Sequence, residues 1–334
     1  MSGVTTAHPL YSEMAKVWQR TRDAIKGDYA VKRQGRNYLY ASWLPTNPTP
    51  SQTARFNAYL NNSYFMDATG QAAVNFSGMV FRKPTQYDLP PAIDQYAKDI
   101  DNSGRSINEF AKWCLTEIQA TGACYVLAEH HASPENLTKA QQIASGVRPF
   151  LAGYTRESLI NWKTQVVNGS EILTLAVLCE EVDAATDEFS HDFTNVYRVL
   201  RLKDGVYTQQ LYSDDGTLGD EYVVRKADGS TYDRIQLYVA GSQSNDYGDN
   251  VPMLSGIAEL NYRHYQTTAD LRDNLHIFGQ STLFVYTNID QERMDEYNPN
   301  GIKVGSHVVN ILEAGDKAEL VSCNSSSNEN QSEY

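Results

Sequence analysis

A chain of 334 residues, 41% hydrophobic and 21% charged, has the composition of a globular protein and the length to bury a substantial core in two or three domains, which argues against wholesale disorder. A formal charge of −13 argues against a protein that grips nucleic acid by neutralising phosphates, but suits an acidic conduit past which a duplex slides. No apolar run approaches a membrane span, the N-terminus lacks a signal-peptide layout, and the four cysteines form no C-x-x-C pair. Free thiols in a reducing cytoplasm are expected, with Cys114 and Cys179 as small buried hydrophobes.

Leu10, Met14, Val17, Trp18, Thr21 and Ile25 recur at helical spacing and Gly27 follows as a stop, predicting an amphipathic helix over 8–26. After a link holding Pro45, Pro48 and Pro50, helical residues are expected over 51–82 in two runs. Ser51 opens the first; Asp67 opens the second, whose small residues would let another backbone approach closely before Pro84 ends it. Ser106 and Glu109 have the spacing of a capping box for a helix over 106–121 that stops at Gly122. A strand is predicted in ACYVLAEHH, and Ser158 to Trp162 reads as a short turn against a further strand.

From 163 to 241 the period becomes two, with K-D-G, D-D-G and A-D-G turns, which predicts an antiparallel meander whose tyrosines serve as packing residues and not as a stacking platform for bases. A polar loop leads to the longest helix, where Ile257, Leu260, His264, Thr267, Leu271, Leu275 and Phe278 fall on one stripe. Ser255 is expected as its N-cap and Gly279 as its C-cap, giving a rod of roughly 35 Å. Glu259, Arg263, Asp270, Arg272 and Asp273 occupy its other flanks. Beyond it come strands in STLFVYTNI, IKVGSHVVNIL and KAELVS, a charged hairpin or short helix in QERMDEYNPNG, and an unstructured end over 324–334.

Catalytic motifs are missing: no Walker loop, G-x-S-x-G or G-x-G-x-x-G occurs, so no catalytic residue, cofactor or metal is assigned. Glu129, His130 and His131 make a poor metal site, because adjacent strand residues point to opposite faces. The carboxylates Glu180, Glu181, Asp183, Asp187, Glu188 and Asp192 lack calcium-loop order and read as a solvated face. His264 near Asp270 reads as a core histidine.

Several blocks together resemble the portal proteins of tailed phages, in particular a podovirus-like group of head-to-tail connectors. They are GMVFRKP at Gly78 to Pro84, the R-P-F-L…Y…E-S-L-I-N-W block from Arg148 to Trp162, T-T-A-D-L-R-D-N-L-H at Thr267 to His276 with the following Q-S-T-L-F, and I-K-V-G-S at Ile302 to Ser306. The resemblance implies an α+β fold with a helical and antiparallel β wing over 1–253, a stem helix over 254–279 and a small β clip over 280–323. It implies a non-enzymatic subunit of a ring, typically of twelve copies, at one capsid vertex of the virion, made in the host cytoplasm and without a membrane. Double-stranded DNA would pass through it without sequence specificity, and terminase, head–tail adaptor and capsid protein would be its partners. Arg263, Arg272 and Asp270 would then be stem residues of the DNA channel, and Arg293, Glu296, Tyr297 and Asn298 clip residues that meet partners. Such portals continue into a second stem helix and a crown, which this sequence does not reach, so half the stem stripe is expected to lie uncovered. Two alternatives stand beside this reading: an α+β enzyme with its pocket between the sheet and the helix over 106–121, and another structural connector of the virion.

Overall fold

A computed structural model describes residues 3–130, 148–278 apart from 168, 215, 217, 218, 227 and 249, and the segments 282–286, 290–297 and 317–321. The fold is α+β, with helices and antiparallel sheets. Contacts divide the chain into two compact units, residues 1–33 with 66–261 and residues 34–65 with 262–334.

The first helices in chain order are α1 (Pro9–Lys26), α2 (Asp28–Arg33), α3 (Pro50–Asn62), α4 (Ala68–Val80), α5 (Pro91–Asp94) and α6 (Ile107–Thr121). α1 starts one residue later than expected because the His8 ring caps it, accepting the Leu10 amide. The helical region expected over 51–82 is two helices, α3 and α4. α3 opens at Pro50 instead of Ser51: proline has no N–H to leave orphaned at a first turn, and Thr49 with Gln52 closes a capping box around it. The Ser106–Glu109 box is present at α6, and Gly122 ends that helix at φ +90°, where a side chain would meet the Val251 carbonyl carbon at 2.6 Å. The close backbone approach expected for the small residues of α4 occurs at Gly70, whose Cβ position lies 2.8 Å from the Ile25 carbonyl oxygen of α1.

The first unit holds two antiparallel sheets. One has the order β2 (Pro149–Thr155), β1 (Ala123–His130), β8 (Leu237–Gly241); the other runs β3 (Leu159–Val167), β4 (Ser170–Asp183), β5 (Phe193–Lys203), β6 (Val206–Ser213), β7 (Tyr222–Val223). Two expectations are corrected. The meander starts at Leu159, not 163, with the turn confined to Arg156–Ser158, because Leu159 and Trp162 are core residues. Residues 237–241 leave it to pair with β1, covering an edge that would otherwise expose its backbone. At the K-D-G turn Asp204 and Gly205 both take positive φ, 51° and 74°, as a tight two-residue hairpin requires.

Both faces of the five-stranded sheet are covered at its centre, which is why LAVLC, residues 175–179, is apolar throughout. Ala176 and Leu178 join a core with Tyr125, Leu127, Leu237 and Tyr207, while Val177 on the opposite face packs with Ile160, Tyr197 and Val199. The loop before the longest helix is organised by buried Asn250, which accepts the Gln243 and Ser244 amides and donates to the Asp246 carbonyl.

The long helix α7 (Ser255–Phe278) begins at Ser255 itself, whose hydroxyl donates to the Pro252 carbonyl and so is no N-cap acceptor. After it come β9 (Thr282–Tyr286), a short helix α8 (Gln291–Tyr297) and β10 (Lys317–Val321), with β9 and β10 paired antiparallel. His131, Gly279, the strand expected in 302–312, Cys323 and the end over 324–334 lie outside the described residues.

Candidate functional site

Within the second unit, α7 is half covered by the segment 38–65. Tyr262 packs on Tyr38 and Phe65, and Tyr265 meets Phe65 edge-on while its hydroxyl pairs with Ser63 Oγ at 2.8 Å. Gln266 clasps the Tyr40 backbone through both its amide atoms, each bond 2.8 Å. Further along, Tyr59 donates to Asp270, Asp273 pairs with Arg55, and Arg55 lies 4.1 Å over the Trp43 ring.

The buried side of α7 is therefore Tyr262, Tyr265 and Ala269, and the predicted stripe faces the other way. At 100° per residue, 264, 267 and 271 lie roughly opposite 262, 265 and 269. Leu260 is 67% and Leu275 52% exposed, His264 and Thr267 are exposed, and Ile257 and Leu271 are half-buried. His264 is thus a surface residue, not a core histidine. The Thr267 and Thr268 hydroxyls donate back to the Arg263 and His264 carbonyls, which leaves this face with few outward donors.

The expected stem residues separate accordingly. Arg263 lies on the open side of α7, whereas Asp270 accepts from Tyr59 and Gln266, and Arg272 donates to the Asn62 carbonyl and sits over the Tyr64 ring. Asp270 and Arg272 thus hold α7 to α3 and its C-terminal extension. Of the expected clip residues, Arg293 and Glu296 are exposed on α8, with Asp290 capping the helix through the Arg293 amide. Tyr297 ends α8, and Asn298 lies outside the described residues.

Residues 252–333 match the model of a family described as a domain of unknown function, DUF4055, which occurs in phage proteins. The match takes in all of α7 together with β9, α8 and β10. A search of curated proteins found no match.

Some titratable groups of the first unit are joined in internal networks. Glu180 is not solvated as expected: Arg198 donates to it at 2.6 Å and to Glu129 at 3.2 Å, and the Tyr154 hydroxyl adds a 2.7 Å bond to Glu180. Burial and these carboxylates raise the Tyr154 pKa, and the carboxylates hold the Arg198 guanidinium more firmly protonated against the opposing effect of burial. Cys114 and Cys179 are only partly buried; Cys124 is the buried thiol, and all three are free. Among the described residues no group of three or more His, Cys, Asp or Glu is placed to hold a metal, and no helix is long and apolar enough to cross a membrane. A cleft of about 450 Å³ lies where Gly3, Val4 and Thr6 meet Asn161, Lys163 and Arg201 of the meander. No residue of α6 lines it, and Arg201 is engaged with Gln210 and Tyr212.

Proposed function

We propose that this chain is a ring-forming portal subunit of a tailed phage, a non-enzymatic conduit for double-stranded DNA. One observation carries the reading: from Tyr262 onward α7 satisfies one side within the second unit through Tyr262, Tyr265 and Gln266, yet among the described residues its second stripe stays exposed at Leu260, Thr267 and Leu275 and only half-buried at Leu271. A helix with two packing sides and one filled from its own unit is suited to lateral association with copies of itself. The match of this region to a domain found in phage proteins supports the reading, as does the excess of negative charge, which lets a duplex move past without adhering. In this reading the ring stands at the capsid vertex with terminase and adaptor as partners, and Arg263 is the stem cation that best suits a channel-facing role.

The test is light scattering and negative-stain imaging of the full chain across a concentration series. Rings are expected, and Leu271→Asp with Leu275→Asp should shift their formation to higher concentration without loss of helicity. A protein that stays monomeric at every concentration would sink the proposal.

A further inference from the structure

Two exposed surfaces of the first unit complement each other in charge and in apolar character. α4 turns Thr69, Gly70 and Ala73 inward. Val74 and Met79 flank its outer side, the methionine 70% exposed, while Phe76 and Val80, on the stripe of Ala73, are exposed toward its C-terminal end, where Arg82 and Lys83 follow. Both cations are exposed, and neither joins an ion pair among the described residues. Gly78 lies one turn after Val74 on this side and leaves open space where a side chain would stand.

The β4–β5 hairpin has the opposite character. Its neck is tied by Asp183, whose carboxylate accepts the Ala185 and Asp192 amides and pairs with the His191 ring, while the Ala184 amide donates to the Asp192 carbonyl. The Asp187 carboxylate accepts the Phe189 amide. Phe193 stacks on His191. On this neck Phe189 stands 85% exposed among the exposed carboxylates of Asp187, Glu188 and Asp192. An aromatic ring held out on a pre-ordered loop loses little freedom on binding, which is the character of an interface anchor.

We propose that the β4–β5 hairpin of one copy docks on α4 of the next, Phe189 seating over Gly78 between Val74 and Met79, with the hairpin carboxylates toward Arg82 and Lys83. The charges select this pairing. Two α4 faces together would oppose four cations and two hairpins would oppose their carboxylates, whereas hairpin on α4 joins opposite signs. Because the two surfaces differ, the contact is head-to-tail, and repetition closes a ring or extends a filament. The inference rests on the ring reading above and supplies a lateral contact separate from α7.

The test uses the full chain. Val74→Asp with Met79→Asp spoils the socket, Phe189→Asp spoils the peg, and all three positions are exposed, so circular dichroism should be unchanged. Each variant should associate at concentrations at least about tenfold higher than the parent. Mixed in equal amounts, at a concentration where each alone is monomeric, the two should form one-to-one pairs, since one intact peg and one intact socket remain. Arg82→Glu with Lys83→Glu should weaken assembly, and Asp187→Lys with Glu188→Lys in the same chain should restore it. If the parent forms rings and either spoiled variant assembles as well as it does, this contact is wrong while the ring reading stands. If the mixture yields no pairs the contact is wrong too, and a parent that never associates defeats both.

Discussion

Tyr59 Oη donates to Asp270 Oδ1 at 2.6 Å, joining α3 to α7 within the second unit. Burial and the adjacent carboxylate push the phenol well above its usual pKa, so it stays a donor at any ordinary pH. Gln266 Nε2 reaches the same carboxylate at 3.1 Å. These bonds are why Asp270 belongs to the packed side of α7.

Tyr59→Phe removes a hydrogen bond to a charged acceptor and leaves a carboxylate that water can still reach. A loss of about 1–2 kcal/mol is expected in urea unfolding of the full chain. The loss should shrink toward zero in an Asp270→Ala background, and an equal loss there would show that the two residues do not act as a pair.

Arg198 separates Glu180 from Glu129, and all three side chains are largely buried. Arg198→Met leaves two carboxylates without their cation and should cost about 3 kcal/mol or more. Arg198→Lys keeps the charge but loses the fork that reaches both partners, and about half that loss is expected. Adding Glu180→Gln to Arg198→Met should recover part of the stability. Failure to recover any would place the cost in lost packing and not in unpaired charge.

Asp101 titrates in the acid limb. Burial opposes its charged form, but the Ser103 amide, the Arg105 guanidinium and the Arg105 amide outweigh that, holding its pKa below the ordinary 3.8. A carboxylate whose folded pKa is depressed contributes stability that is complete above its unfolded value and is lost as pH falls through the folded one. Urea midpoints taken from roughly pH 6 down to roughly pH 2.5 should therefore drop less steeply below about pH 4 in Asp101→Asn than in the parent, from a lower starting point. Parallel curves would rule out this contribution.

Local signals were legible wherever a few adjacent residues decide the outcome. Ser106 with Glu109 and Gly122 bounded α6, and Asp204-Gly205 made its turn, because capping and left-handed backbone depend on neighbours in the chain. Thr49 carries the same capping signal two residues before Ser51, in its spacing to Gln52 and the proline between them. Asn250 gave no signal at all: a polar residue in a polar loop becomes an organiser only once the Gln243 and Ser244 amides have been folded against it. Arg198 was equally silent, since its partners come from β1 and β4.

By itself the sequence determined that residues 255–278 form a helix with an apolar stripe, because helical periodicity is a property of the segment alone. Only the tertiary structure decided that this stripe is the open side. The partners that claim the opposite side, Tyr40 and Tyr59, lie 226 and 211 residues from the α7 positions they hold, and no local pattern encodes a contact made at that distance along the chain.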